Sequence, residues 1–288
     1  MKIIILGAGA IGSLVGAMLS KDNDVVLIGN KEHVDKINKN GLEISGKINK
    51  NFKIKAETKI SKIGDNDLII LTTKAYDNER AVKSIKNSIK KNNVILVLQN
   101  GLGNEEVIKK FAKCRVIRGI TDSAATFLDP GKVKSNNIGY IYLEDSEKSK
   151  KIAEVLKKAG FEAEVISNIK EKIWQKLIVN CVINPLTAVF KVKNRELEKF
   201  PEQIRLLIRE LISVARKEGM NFNEKETFDM VMKVIKDSGE NQSSMLQDVL
   251  KGKKTEIDFL NGKIVKIAKK YGIKCPINQD LTGIINSK

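Results

Sequence analysis

The run Lys2-Ile3-Ile4-Ile5-Leu6 leads at once into Gly7-Ala8-Gly9-Ala10-Ile11-Gly12, and then into an Ala/Leu/Val pattern of helical period over residues 13–20. An apolar strand, a tight glycine turn and a helix are expected, in that order. Gly7 permits the tight turn, Gly9 lets a pyrophosphate approach the backbone, and Gly12 lets the helix pack on the strand. The helix N-terminus then presents its N–H groups to phosphate. Glycines in this spacing are weak evidence anywhere else in a chain. Between an opening strand and a helix they are a dinucleotide-binding signature, with residues 7–12 as the cradle.

The next apolar strand, 24–28, ends in Gly29-Asn30-Lys31. A unit that prefers NAD carries an acid near this point to hold the ribose 2′-hydroxyl. Asn30 and Lys31 would instead attract a 2′-phosphate, so the expected cofactor is NADP(H), with NAD(H) also open because Glu32 lies two residues on. Lys31 has a plainer reading as a solvated residue at a helix start.

Strand and helix keep alternating through the first half. Residues 67–71 and 93–98 read as buried strands with a helix at 81–89 between them. Further strands are expected at 115–121, 131–134, 139–143 and 163–166, with a helix at 147–159. This is the pattern of parallel α/β winding. After Ser167 helical periods dominate, with breaks expected near Pro185, Pro201, Gly219, Gly239 and Pro276. The expected class is α/β: an N-terminal Rossmann-type parallel-sheet domain at 1–167, binding NADP, followed by an all-α substrate and catalytic domain at 168–288.

Within the helical half, Lys176, Asn180 and Asn184 recur at intervals of four, so a helix stacks an ammonium and two carboxamides on one face. Leu177, Ile178, Val179, Val182 and Ile183 around them are apolar, which predicts a buried helix with one polar stripe. A lysine in such a dry wall loses stability in its charged form and becomes able to exchange a proton near neutral pH. That suits a general acid. The competing reading is a snorkelling lysine with two asparagines bonded to backbone.

Composition narrows the classes. The 288 residues are enough for two domains, and 42% are hydrophobic. The longest apolar runs are of strand length, so no membrane span is expected, and the first strand begins too early for a signal peptide. Three cysteines, Cys114, Cys181 and Cys275, are widely spaced, which suits a reducing, cytoplasmic, metal-free protein. The single histidine, His33, is expected near the start of the second helix, which argues against a Ser-His-Asp triad and a histidine zinc site. The net charge of +17 raises nucleic-acid binding. Lysines interleaved with Asp and Glu along the whole chain argue against it, and such a field favours capture of small anions instead.

Several stretches together resemble the ketopantoate reductases. They are the opening glycine motif, Thr73-Lys74-Ala75, Gln99-Asn100-Gly101, the Lys176/Asn180/Asn184-Pro185 helix, Asn241 to Asp248, and Thr255-Glu256 to Gly262. The resemblance implies NADPH-dependent reduction of 2-dehydropantoate to (R)-pantoate in pantothenate and coenzyme A biosynthesis, with Lys176 as the general acid. It places Lys74, Ala125 (or its neighbour Ala124), Asn100 and Glu256 at the cofactor beside Asn30 and Lys31, although at Asn30 the chain departs from the arginine that many of the family carry for the 2′-phosphate. Asn100, Lys176, Asn180, Asn184, Asn194, Asn241 and Ser244 fall to the substrate. Ser244 also reads as a helix cap, and Glu256 as a first-turn acid behind a Thr255 cap. The partner required is a small keto acid, with neither nucleic acid nor membrane, and a homodimer is open. The alternatives are a reductase of another branched 2-keto acid and a non-catalytic NADP-sensing protein.

Overall fold

Isoleucine, valine and leucine in unbroken runs make strands that are buried on both faces, and such strands belong in the middle of a parallel sheet. In the computed structural model, which describes residues 1–288, these runs form β1 (Lys2–Leu6), β2 (Asp24–Ile28), β6 (Leu68–Leu71), β7 (Val94–Val97) and β8 (Arg115–Thr121). With β5 (Lys55–Glu57), β11 (Tyr140–Glu144) and β12 (Glu162–Ile166) they complete an eight-stranded sheet in the order β12-β11-β8-β7-β6-β1-β2-β5. Six neighbouring strands run parallel, from β5 to β8, while β11 joins β8 antiparallel. The winding is therefore parallel with a reversed edge. From β1 the chain proceeds to β2 and β5 on one side and to β6, β7 and β8 on the other. The crevice beyond the carboxyl ends of β1 and β6 is the topological switch point, where ligands of such sheets bind.

A second sheet, β4-β3-β10-β9, consists of β3 (Leu42–Gly46), β4 (Lys50–Phe52), β9 (Ala124–Asp129) and β10 (Lys132–Asn137). Strands β3, β4, β5 and β9 were not expected from the sequence, because none is an apolar run buried throughout: β4 and β5 have 3 residues each, β3 alternates buried with exposed ones, and no residue of β9 is fully buried. The first helix, α1 (Ala10–Leu19), lies against β1 and β2 of the large sheet and against β3, β9 and β10 of the small one. Every residue from Gly12 to Leu19 is buried in consequence. Helices α2 (Lys31–Asn40), α3 (Asn78–Ile85), α4 (Asn104–Lys109) and α5 (Glu147–Lys158) complete this unit, which comprises Met1–Gln99 and Gly103–Ile169.

The second unit, Lys170–Lys288 with Asn100–Leu102, is helical throughout. Its elements are α6 (Ile169–Phe190), α7 (Pro201–Lys217), α8 (Glu224–Asp237), α9 (Ser244–Leu250), α10 (Asn261–Lys270) and α11 (Pro276–Asn286). Pro201 and Pro276 occupy first-turn positions, where their missing N–H costs nothing. Pro185 does not end its helix, contrary to expectation. Helix α6 runs through it for 22 residues, although the missing N–H deprives the carbonyl four residues back, on Cys181, of its usual partner. Length and composition would let α6 cross a membrane, which the strand-sized apolar runs had not suggested. Two-thirds of that window is buried inside the unit, as befits a core helix.

His33 ties the first unit together. Its Nδ1 accepts from the Gly131 N–H at 2.9 Å, so Nε2 carries the hydrogen and donates to Ser13 Oγ at 3.0 Å. Helix α2 is thereby joined to α1 and to the β9–β10 turn. Burial pulls the His33 pKa below its ordinary value. The folded chain then binds fewer protons than the unfolded one once pH falls below about 6.5, the unfolded value. Stability is full above that pH and declines beneath it. Calorimetry should show the melting temperature of the first unit falling between pH 7 and 5, and His33→Gln should remove the part of this decline due to the imidazole. A variant as steep as wild type would show that other groups carry it.

Candidate active site and cofactor cradle

At the switch point the chain turns with no side chain in the way. Gly7 adopts φ of 114°, and its N–H and that of Ala8 both donate to the Ile28 carbonyl, at 3.1 and 2.7 Å. The Gly7 carbonyl accepts from the Thr72 hydroxyl at 2.9 Å, which joins the turn after β1 to the end of β6. A Cβ at Gly12 would lie 2.1 Å from the Gly7 carbonyl oxygen. One at Gly9 would meet nothing within 4 Å. Protein packing therefore demands glycine at position 12 but not at 9, where an open backbone instead suits the approach of a phosphate. Gly9 is also the N-cap of α1, offers no side-chain cap, and is followed by no acid in the first turn. The N-terminal N–H groups and their positive dipole end are left for an anion, so the residues present fit a dinucleotide diphosphate.

At the adenosine end, Asn30 caps α2, its Oδ1 accepting from the His33 N–H at 2.9 Å. Its exposed amide nitrogen remains a donor. Lys31 is exposed and pairs with Asp35 at 2.6 Å, as its plainer reading supposed, and Glu32 is an exposed first-turn acid. An exposed pair of this kind contributes little and leaves readily. Ala125 lies in β9 opposite Ser135, on the small sheet that packs against α1.

Lys74 follows β6 and is the N-cap of a single 3-10 turn, Ala75–Asp77. A buried polar cluster fixes this loop and the end of β7. The Gln99 amide donates to the Thr73 carbonyl and hydroxyl, both at 2.9 Å, and to Asn78 Oδ1. Asn78 donates to Asn104 Oδ1 at 2.8 Å. Arg118, 3% exposed, donates to the Gln99 carbonyl at 2.8 Å and lies 3.5 Å from Glu105. Burial lowers the guanidinium's pKa, while Glu105, Glu106 and Glu144 hold it up. In the sequence Gln99 stands out only within the Gln99-Asn100-Gly101 motif. Arg118, a charge inside the apolar strand Arg115–Thr121, was the signal that could have found the cluster. A cavity of about 600 Å³ lined by Lys109, Cys114, Arg115 and Glu144 opens at the amino end of β8, the opposite edge of the sheet, and has no part in this site.

In the second unit α6 carries Lys176, Asn180 and Asn184 on one face. Lys176 and Asn180 are half-buried and Asn184 is 7% exposed. The fully dry lysine of the sequence reading is thus corrected. Ile173, Trp174, Leu177 and Ile178 take the buried face near the helix start, and only from Cys181 to Ala188 is the helix enclosed all round. The Asn180 and Asn184 carboxamides form no hydrogen bond within the chain, so they are not the backbone-bonded pair of the competing reading.

Asn194 is 5% exposed, donates to Ser238 Oγ at 2.9 Å, and meets Asn241 through a backbone N–H to carbonyl bond of 3.1 Å. Its Oδ1 is buried without a partner. The cap of α9 is Ser243 rather than Ser244: its Oγ accepts from the Leu246 N–H at 3.1 Å and lies 2.7 Å from the Thr187 hydroxyl of α6. The preceding residue takes the extended backbone a cap requires, which leaves Ser244 exposed with its hydroxyl unused. Glu256, 9% exposed, precedes a 3-10 turn, Ile257–Phe259, so it is not a first-turn acid of α10. Gly101 has φ of 89°, and a Cβ there would lie 2.6 Å from the Phe259 carbonyl oxygen, so the segment holding Asn100 can accept only glycine next.

Comparison with known proteins covers both units. Residues 3–148 match the sequence profile described as ketopantoate reductase PanE/ApbA, and residues 168–288 that described as ketopantoate reductase PanE/ApbA C terminal. The chain is 40% identical to the 2-dehydropantoate 2-reductase of Pyrococcus abyssi, over 100% of this chain and 98% of that one. The crystal structure of a PanE/ApbA family ketopantoate reductase from Ralstonia eutropha superposes with a TM-score of 0.93 at 28% identity, covering 99% and 97% of the two chains. A ternary structure of D-mandelate dehydrogenase with NADH and anilino(oxo)acetate gives 0.94 at 33% identity, covering 100% and 98%.

The two glycines separate packing from binding. Gly9→Ala should leave the melting temperature unchanged and weaken NADPH binding by about tenfold or more, roughly 1.4 kcal/mol. Gly12→Ala should destabilise the fold by about 1–3 kcal/mol through overpacking. Calorimetry with a fluorescence titration reads both, and wild-type affinity in Gly9→Ala would place the diphosphate elsewhere.

Proposed function

The chain belongs to the ketopantoate reductase family, and from that membership we propose that it reduces the ketone of 2-dehydropantoate to (R)-pantoate with NADPH, a step towards pantothenate and coenzyme A. The observation that carries this reading is the stripe of Lys176, Asn180 and Asn184 on α6, whose two carboxamides make no hydrogen bond within the chain. Carboxamides left free on a largely apolar helix face are available to a polar ligand.

When bound, the reduced nicotinamide supplies the hydride. Negative charge grows on the carbonyl oxygen as the carbon is reduced, and Lys176 Nζ gives that oxygen a proton, so that ketone, hydride and proton make the secondary alcohol. Partial exposure of Lys176 lets water restore the proton after turnover. Glu256 orients the lysine and hydrogen-bonds the substrate or the nicotinamide ribose. Asn180 and Asn184 hold the distal hydroxyl and the carboxylate without adding charge. Ser244, Asn194 and Asn241 complete the substrate's contacts, with Asn100 between substrate and nicotinamide ribose. Residues 7–12 hold the diphosphate, Asn30 and Lys31 the 2′-phosphate, and Lys74 and Ala125 the rest of the cofactor. The free cysteines suit the cytoplasm, and a small keto acid is the only partner this reaction needs.

A second reading has one observation in its favour, the likeness to D-mandelate dehydrogenase. Under it the substrate is a 2-keto acid without a distal hydroxyl, and NADH serves. Asn180 and Asn184 would then face an apolar group unpaired, a penalty that separates the two substrates by orders of magnitude. Steady-state assays should give a higher kcat/KM for 2-dehydropantoate than for 3-methyl-2-oxobutanoate, and for NADPH than for NADH. The reverse order on either axis would replace the first reading by the second. Asn184→Leu should narrow the gap between the two keto acids.

Lys176→Ala should lower kcat by about two to four powers of ten, the usual worth of a general acid, with NADPH affinity nearly intact. Retention of more than roughly a tenth of kcat would make the lysine a binding or packing residue.

A further inference from the structure

Pro185 directly follows Asn184 in α6, and the carbonyl four residues before it, on Cys181, lies in the turn that connects Asn180 to Asn184. With no N–H on residue 185, the Cys181 carbonyl loses its helical donor. Cys181 is fully buried, so water cannot substitute. The donor comes from outside the helix: Asn261 Nδ2, at the start of α10, reaches the Cys181 carbonyl at 2.9 Å. Its second hydrogen goes to Asn278 Oδ1 at 3.0 Å. Asn278 in turn donates through Nδ2 to Glu210 Oε2 at 2.8 Å, and the Glu210 carboxyl also accepts the backbone N–H groups of Ile277 and Asn278 at 2.9 and 3.0 Å. Asn261 and Asn278 are both 0% exposed.

The direction of every bond in this chain is set by its ends. A backbone carbonyl and a carboxylate can only accept, so both asparagine amides must point one way, and neither Asp nor Leu can stand at 261 with the same bonds. Glu210 belongs to α7 and Asn278 to α11, so three helices converge on one carbonyl of α6. Asn261 also lies five residues after Glu256, on the far side of the 3-10 turn.

We propose that Asn261 is a positioning residue for the reaction: it replaces the N–H that Pro185 lacks, and so holds the turn of α6 that sets Asn184 in line with Asn180 and Lys176. The inference rests on the proposed use of that stripe for a keto acid. Proline and asparagine are a matched pair in this account. Proline removes an internal bond, and the bond that replaces it comes from the segment that carries Glu256.

A double-mutant cycle tests the pairing, run on whichever 2-keto acid the wild-type enzyme reduces, so that a wrong substrate assignment does not disturb it. Asn261→Ala should lower kcat/KM for the keto acid by tenfold or more, with dinucleotide affinity unchanged, because residues 7–12 are untouched. In a Pro185→Ala background residue 185 supplies its own N–H to Cys181, and the same Asn261→Ala change should cost less than threefold. Equal losses in the two backgrounds would overturn the proposal, as would a wild-type kcat/KM in Asn261→Ala measured below its melting temperature. Should Asn261→Ala fail to fold, Asn261→Ser keeps one donor and enters the same cycle. The coupling is also read without activity: urea midpoints of the second unit should show Asn261→Ala or Asn261→Ser less damaging when Pro185 is Ala, and additive shifts would count against the tie.

Discussion

Helix α1 is enclosed on both faces, and the first unit depends on that enclosure. A helix with no solvent face must carry apolar or very small residues all round, which Gly12-Ser13-Leu14-Val15-Gly16-Ala17-Met18-Leu19 does. Gly12 lets it approach the carbonyl of Gly7, and at Gly16 a Cβ would lie 2.4 Å from Leu27. Ser13 is its one buried polar side chain, and His33 satisfies it. Fixing α1 this closely fixes its N-terminus over the switch point, so the place proposed for the diphosphate follows from packing and needs no charged side chain of its own.

The polar groups inside each unit are organised around backbone atoms that secondary structure leaves unpaired. Arg118 and Gln99 serve the strand ends at Val97, Gln99 and Thr73; Asn261 serves Cys181. A buried donor or acceptor left alone costs about 1–3 kcal/mol, so these clusters function as wholes. Both lie within a few residues of the positions assigned to ligands, Lys74 and Asn100 in one case and Asn180 and Asn184 in the other. Precise placement of a ligand-binding side chain requires a rigid backbone beneath it, and buried amides supply that rigidity.

Charge has a different role. Most ion pairs are exposed, and many link residues three or four apart on one helix, such as Lys83 with Glu79 and Lys233 with Asp237. Pairs of this kind add little stability. The excess of 52 basic over 35 acidic residues, a net +17, instead gives a long-range field that draws in a dinucleotide and a keto acid, both anions.

The sequence by itself determined what local patterns can encode. Runs such as Ile3-Ile4-Ile5 and Val94-Ile95-Leu96-Val97 can only be central strands, the glycine spacing dictates the turn between β1 and α1, and the four-residue recurrence of Lys176, Asn180 and Asn184 puts them on one helical face. The small sheet and the edge strand β5 were not legible, because β3 is held by β10 far along the chain, β5 by β2, and the edge strands β4 and β9 carry no buried run of their own. Nor was the burial of Lys176, which depends on what packs over the start of α6, or the choice of Ser243 over Ser244 as a cap, which depends on which of two adjacent serines takes the extended backbone. Pro185 is the plainest case. Read locally, a proline ends a helix; in the fold, an asparagine 76 residues away satisfies the carbonyl it orphaned, and the helix continues. Sequence periodicity records which face of an element must be hidden, whereas the identity of what hides it, and of what pairs with each stranded polar atom, is a property of tertiary contact alone.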